Sequence, residues 1–316
     1  MTLSLRPSRD DRAALLGDLK ILALFGPTGV GKTTVAVAVA DRLREAGEDP
    51  VAVSADALQV YRGLETLTGA PSGAERARLE HRLVGVLSVS STFSAGEYAA
   101  RAHEEIDAAL AAGRRPIVVG GTGLYLQAAV CDLELRPPPP EGLREGIEAR
   151  LAERGTEALH AELAERSPDA AAAVATTDRT RLVRTLELLE MGKEPALAGD
   201  RSRLWTAELR HPTLLCGLTM EREELYARID SRVEWMVAAG AGDEISQADA
   251  AGASHTARAA LGFEELLRGD VEGMKQNTRR LAKRQLTWLR KLRGAHVLDT
   301  THQTPEQVAA EVLALA

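Results

Sequence analysis

The sequence predicts an α/β protein in which a parallel sheet, built around a phosphate-binding loop, is interrupted by an all-helical insertion domain. Three observations carry this expectation. The first is Lys20 to Ala40, KILALFGPTGVGKTTVAVAVA, where an apolar run, a glycine-rich turn and a small-residue helix follow in order. The second is an alternation of short apolar strands with helices up to about residue 135, resuming near residue 213. The third is the stretch from Glu141 to Lys193, rich in Ala, Glu and Arg and wholly helical in pattern.

The turn residues Gly26, Pro27, Thr28, Gly29, Val30, Gly31, Lys32 and Thr33 fit the eight-position P-loop. Their context, a strand before and a helix after, is the one the motif requires, so the core reads as P-loop NTPase-like. Backbone N–H groups at the positive end of a helix dipole bind phosphate oxygens. Gly29 and Gly31 let the backbone close without a Cβ in the way. Lys32 adds a point charge, and the Thr33 hydroxyl is the expected protein ligand to Mg²⁺. The loop leaves open whether the phosphates belong to ATP, GTP or another diphosphate.

The remaining elements follow in order. Residues 1 to about 18 read as a loose lead-in. Pro50 to Asp56 predicts a second strand whose end presents Asp56 beside the phosphates, since ligands of open α/β sheets bind at the strands' carboxyl ends. The segment from Ala57 to Pro71 is irregular. His81 to Val86 predicts a short strand, and Ser94 to Ala112 a helix with Ser94 and Glu97 at capping-box spacing. Pro116 to Gly120 is a further strand, opening into Gly121-Thr122-Gly123 and a helix.

Pro137 to Pro140 breaks the rhythm, which divides the chain into core residues 1–135, an insertion over 136–204, and core residues 205–316. The core resumes with a strand at Thr213–Leu218 and a helix from Glu221 to Ala239. That helix carries Arg228 and Arg232 four apart, on one face. Lys275 to Arg293 holds eight Lys or Arg and no acid. An apolar stripe of Leu281, Trp288, Leu289 and Leu292 would leave Arg279, Arg280, Lys283, Arg284, Arg290 and Lys291 outward. His296–Asp299 predicts the last strand before a closing helix.

Composition narrows the function classes. A net charge of −7 over 316 residues argues against a generally basic nucleic-acid-coating protein. A basic run is usually a solvated face, but concentrating eight cations in nineteen residues of a net-negative chain favours a local phosphate-binding surface. The two cysteines, Cys131 and Cys216, stand apart from each other and from any His cluster, so neither a disulfide framework nor a zinc site is indicated. The first residues have no apolar signal core, and no apolar run approaches the roughly 20 residues that cross a bilayer. A cytoplasmic protein without a membrane partner is expected. Asp56 at a strand end beside the loop has the chemistry of a base or a metal neighbour. Arg232 or Arg228 could stabilise a leaving pyrophosphate. Gly120-Gly121-Thr122 reads equally as a packing turn or as part of the site.

Taken together these stretches resemble the bacterial tRNA dimethylallyltransferase (tRNA isopentenyltransferase) family, in order, from about Ile21 to Leu298. The landmarks are GPTGVGKT at 26–33, ADALQVYRGLE at 55–65, HRLV at 81–84 and FSAGEYAARAHEEIDAALAAGRRPIVVGGTGLYL at 93–126. RTRLVRTLELLEMGK at 179–193, RIDSRVEWMVAAG at 228–240 and RLAKRQLTWLRK at 280–291 complete the set. The resemblance implies a P-loop core with a helical insertion that grips the anticodon arm of tRNA. It implies transfer of a dimethylallyl group from dimethylallyl diphosphate to the exocyclic N6 amine of the adenosine 3′ to the anticodon. The P-loop, with Mg²⁺, would then hold the donor's diphosphate rather than ATP.

By position, the resemblance gives Thr28 to Thr33 the diphosphate, Thr33 and Arg232 its departure, and Asp56 the attacking amine. It assigns Asp56, Ala57, Leu58 and Gln59 to a tRNA-contacting stretch, as it does Thr180, Arg181, Leu182, Val183 and Arg184. Thr122 and Arg144 match further catalytic or tRNA-contacting positions. To these the basic stretch adds Arg280, Lys283 and Arg284 as tRNA-binding candidates. The target base must leave its stack to react. The chain departs from the family at Ala57, where Ser is usual, at Gly69-Ala70 for Ala-Lys, at Thr180 for Gln, and at Phe263 for Tyr. The competing readings are an adenylate prenyltransferase of cytokinin type, a P-loop kinase or ATPase, and a non-catalytic RNA-binding module. A monomer is expected.

Overall fold

The computed structural model describes residues 18–133, 135–195 and 208–316. The lead-in before residue 18 and the insertion's end, residues 196–204, lie outside them. The described chain forms two compact units, one from the segments up to Leu133 and from Ala207 onward, the other spanning Glu134–Thr206.

The first unit is a six-stranded sheet in which every pairing is parallel. Its strands are β1 (Ile21–Phe25), β2 (Pro50–Ser54), β3 (His81–Arg82), β4 (Arg115–Gly120), β5 (Thr213–Thr219) and β6 (His296–Asp299). The order is β3-β2-β4-β1-β5-β6, so β1 lies centrally with its C-terminal Phe25 opposite Gly120 on one side and Gly217 on the other. That register brings the P-loop, the end of β2 and the Gly120 turn to one edge. β1 and β2 are buried along their whole length, as strands covered on both faces must be.

Helix α1 (Lys32–Glu45) leaves the P-loop and buries Val35 to Ala40 and Leu43, which explains its continuous apolar run. Between β2 and β3 lie the short helices α2 (Glu65–Thr68) and α3 (Gly73–Arg78). Helix α4 (Ala95–Ala111) starts in the expected capping box: Glu97 N donates to Ser94 Oγ at 3.2 Å, and Ser94 N donates to Glu97 Oε2 at 2.8 Å. Its Tyr98, Ala102, Ile106 and Ala109 form the buried face. The strand predicted over 81–86 ends at Arg82 because Leu83 turns to φ 60°. The next N–H groups, of Gly85 and Val86, donate instead to Gln59 O and Val60 O, both at 2.8 Å. The loop after β2 is thereby braced.

Beyond β4 comes α5 (Gly123–Val130). The core's later part holds α9 (Arg222–Ala238), α10 (Ala241–Ala250), α11 (His255–Arg258), α12 (Phe263–Leu267), α13 (Val271–Leu289) and α14 (Pro305–Ala314). The buried face of α13 corrects the predicted stripe: Met274, Thr278, Ala282, Gln285 and Leu289 pack inward, while Leu281 and Trp288 are half-buried at its borders. Two of the stretch's cations are likewise not free. Lys275 is 9% exposed and paired at 2.8 Å with both Glu234 and Glu272, and Arg279 pairs with Asp230 at 2.6 Å.

The second unit contains α6 (Leu143–Arg166), which breaks its helical dihedrals at Gly155, α7 (Pro168–Ala173) and α8 (Arg179–Glu190). Ile147, Leu151, Leu159, Leu163, Leu182 and Leu186 form its core. The fully buried Glu187 carboxylate is held from both sides, by Arg144 Nε at 2.7 Å and Arg184 Nη1 at 2.8 Å.

Candidate functional site

The P-loop takes the backbone its glycines permit. Gly29 and Gly31 sit at φ 85° and 92°, left-handed values that a Cβ would strain. Gly31 is the N-cap of α1, so the free N–H groups of the first turn face the loop's hollow. Lys32 is folded over the loop, its Nζ donating to Gly26 O at 3.0 Å and Pro27 O at 2.9 Å. Burial, reinforced by the nearby Arg232 cation and opposed by Asp56, lowers the Lys32 pKa to about 8.

Gln285, absent from the sequence-based site, clamps the loop. From the buried face of α13 its Oε1 accepts from Thr28 N at 2.8 Å, and its Nε2 donates to Gly121 O at 2.8 Å. One amide thus ties the end of β1 to the end of β4 and satisfies both backbone groups. A Cβ at Gly121 would stand 2.5 Å from that Nε2, so a side chain there would push the clamp aside. The one signal in the sequence was an uncharged amide in line with Thr278 and Ala282, obscured by the cations around it.

Asp56 follows β2 by two residues, and its Oδ1 accepts from Leu58 N at 2.9 Å and Gln59 N at 3.4 Å. This turn fixes the carboxylate's direction. Ser54 Oγ donates to Gln59 Oε1 at 3.0 Å, and Gln59 Nε2 donates to Gly69 O at 3.3 Å. Arg232 reaches the same carbonyl, its Nη2 donating to Gly69 O at 3.3 Å. Gly69, at φ 56°, makes room for it: a Cβ there would fall 1.6 Å from Nη2. Burial lowers the Arg232 pKa from its ordinary value, opposed by Asp56 and Glu75.

These groups meet in one cavity of about 490 Å³. Thr28, Lys32, Thr33, Asp56, Gln59 and Arg232 line its polar end; Leu67, Leu261, Met274 and Leu281 line an apolar wall. The arrangement can hold a phosphate group at the loop, stabilise negative charge with two cations, and present a carboxylate to a second, organic reactant. Leu58 also lines the cavity, while Ala57 is half-buried outside the lining. Arg228, one turn from Arg232, faces outward and pairs with Glu224 at 2.7 Å.

Other predicted residues stand elsewhere. Thr122 heads α5 and lies outside the cavity lining. Leu182 and Val183 are 0% and 5% exposed, their side chains in the core of the second unit. Arg144 and Arg184 are committed to Glu187, whereas Thr180 and Arg181 are exposed, Arg181 with Asp178 as its partner at 3.5 Å. Arg280, Lys283 and Arg284 are exposed on α13.

Comparison with known proteins agrees with this architecture. The family model described as IPP transferase matches residues 59–292. A tRNA dimethylallyltransferase from Bradyrhizobium is 38% identical over 309 residues, covering 92% of this chain and 94% of that protein. The Thermobifida fusca tRNA dimethylallyltransferase is 38% identical, covering 88% and 89%. The crystal structure of the full-length tRNA isopentenylpyrophosphate transferase from Bacillus halodurans superposes with a TM-score of 0.67 at 32% identity, over 94% of this chain and 95% of that one. With a family match across most of its length and relatives above one-third identity, the chain belongs to the IPP transferase family.

Proposed function

We propose that the protein transfers the dimethylallyl group of dimethylallyl diphosphate to the N6 amine of the adenosine 3′-adjacent to the anticodon in tRNA. The observation that carries this reading is the joining of a P-loop, two cations and an oriented carboxylate to an apolar wall in one cavity. A diphosphate in the loop receives the N–H groups of the α1 terminus, with Lys32 and Arg232 neutralising it. The N6 lone pair bonds to C1 of the donor while the C1–O bond breaks, its electron pair leaving with pyrophosphate. One N6 proton passes to the Asp56 carboxylate, whose orientation is set through Oδ1.

The Thr33 hydroxyl offers an oxygen that suits Mg²⁺, an ion that takes most of its ligands from phosphate and water. Among the described residues no cluster of three or more His, Cys, Asp or Glu is arranged to hold a metal, so the ion would arrive with the diphosphate. Bound there, Mg²⁺ would supply charge neutralisation to the departing group. The exposed Arg280, Lys283 and Arg284, with Thr180 and Arg181 of the second unit, supply contacts to the anticodon arm. Within the second unit, Arg144 and Arg184 hold Glu187. We take the protein to act as a monomer, and no described helix is long and apolar enough to cross a membrane. We place the protein in the cytoplasm, with its RNA substrate.

The test is incubation of the protein with Mg²⁺, radiolabelled dimethylallyl diphosphate and unmodified tRNA, with free AMP as a parallel acceptor. Label entering tRNA alone is expected. Label entering AMP alone would move the protein to nucleotide prenylation, and label in neither would sink the reading.

A further inference from the structure

Helix α9 contributes a graded set of side chains to the cavity. Arg232 belongs to the polar end, close enough for its charge to act on Lys32 and Asp56. Trp235 and Met236, three and four residues on, also line the cavity. On an α-helix that places them on the same face, about 5 Å further along the axis. Met236 is 5% exposed, whereas Trp235 is 59% exposed, the most open large apolar side chain among the described residues. An indole that is both cavity wall and solvent-facing stands at the mouth.

Leaving most of an indole in water forgoes the burial that normally holds Trp in a fold. Trp288, by contrast, packs so closely on α5 that a Cβ at Gly123 would meet its ring at 2.0 Å. The open ring of Trp235 suits a partner with planar groups, and the helix packed against α9 carries exposed cations. Its neighbour Glu234 shares Lys275 with Glu272, each at 2.8 Å, so that cluster keeps one net negative charge. Helix α13, joined to α9 by the Arg279–Asp230 pair, carries the exposed Arg280, Lys283 and Arg284. Cations that track a backbone beside a flat aromatic face are the combination by which single-stranded nucleic acid is held.

We infer that Trp235 is a stacking platform for an unpaired nucleobase of the RNA acceptor, at the mouth of the cavity that admits the reacting base. The inference rests on the proposed tRNA substrate. A five-carbon chain carried by a diphosphate in the P-loop belongs to the inner wall, whereas the ring at the rim meets the partner that enters from solvent. Trp235 is therefore a binding residue for RNA, not for the prenyl donor.

The test compares Trp235→Ala and Trp235→Phe with the native protein in two binding measurements, one with unmodified tRNA and one with dimethylallyl diphosphate plus Mg²⁺. Trp235→Ala is expected to weaken tRNA binding about 5- to 140-fold, the range of one lost stack. Trp235→Phe, which keeps a π-face, should recover most of that loss, and donor affinity should stay within about twofold in both. Retained donor binding also reports that the variants are folded. Unchanged tRNA affinity in Trp235→Ala would overturn the inference, as would a loss confined to the donor. Absence of transfer by the native protein would instead strike the proposed function, because the binding comparison does not depend on turnover.

Discussion

The cavity end of the core and the core of the second unit both use arginines near a carboxylate, to opposite ends. In the cavity, Arg232 and Asp56 are held by weak or backbone contacts: Arg232 by one carbonyl at 3.3 Å, Asp56 by the N–H groups of its own turn. Neither cancels the other's charge in a direct ion pair, so both remain available to a ligand. In the second unit, Arg144 and Arg184 close on a Glu187 that has no exposure at all. There the charges are consumed by the fold. The same residue types serve chemistry where the backbone positions them and stability where a side chain does.

Four changes bear on that contrast. Asp56→Ala removes the base and is expected to lower kcat by about 10²- to 10⁴-fold. Its tRNA affinity should stay within a few fold, and full turnover would remove Asp56 from the chemistry. Glu187→Ala leaves two arginines without their buried partner and should destabilise the second unit by about 3 kcal/mol, read as a lower denaturation midpoint. Near-native stability with weakened tRNA binding would instead make Arg144 and Arg184 direct RNA contacts.

A pH titration addresses the cavity. The folded Lys32 pKa lies near 8, below its ordinary 10.5, so the native site sheds this proton before the unfolded chain does. Keeping Lys32 charged thus costs stability at neutral pH, and the Lys32 contribution becomes more favourable as pH rises from about 8 toward 10.5. Ligand binding runs the other way: inorganic pyrophosphate should bind more weakly above about pH 8, with proton uptake visible in calorimetry run in buffers of different ionisation enthalpy. A flat profile between pH 7 and 9.5 would contradict this placement. The smallest effect is expected from Lys283→Ala, which should reduce the salt dependence of tRNA binding by about one phosphate contact and leave donor affinity unchanged.

The core was legible because its signals are backbone signals. GPTGVGKT between an apolar strand and an apolar helix allows few conformations, and Ser94 with Glu97 announces a helix start by chemistry alone. Residues whose role depends on what packs opposite were harder to read. Leu83 ended β3 early because Gln59 and Val60 offered their carbonyls to the chain beyond it. Leu182 and Val183 lie in a stretch that the family resemblance assigned to tRNA contact, and their burial in the core of the second unit depends on what packs opposite. Gln285 carries no charge and no motif of its own, and its value appears only where Thr28 and Gly121 approach it.

That clamp has a consequence for how the molecule comes into being. Thr28 and Gln285 stand 257 positions apart, with the whole second unit between them. At ribosomal rates of about 5–20 residues per second, some 13–50 s pass between the emergence of the loop and the arrival of the amide that secures it. Throughout that interval the nascent chain has β1 and the glycine turn but not the brace, and the polyanion-rich surroundings of a ribosome meet an unfinished receptor. That brace is supplied by nearly the last helix made, so the loop's full set of contacts closes only when the polypeptide is almost complete.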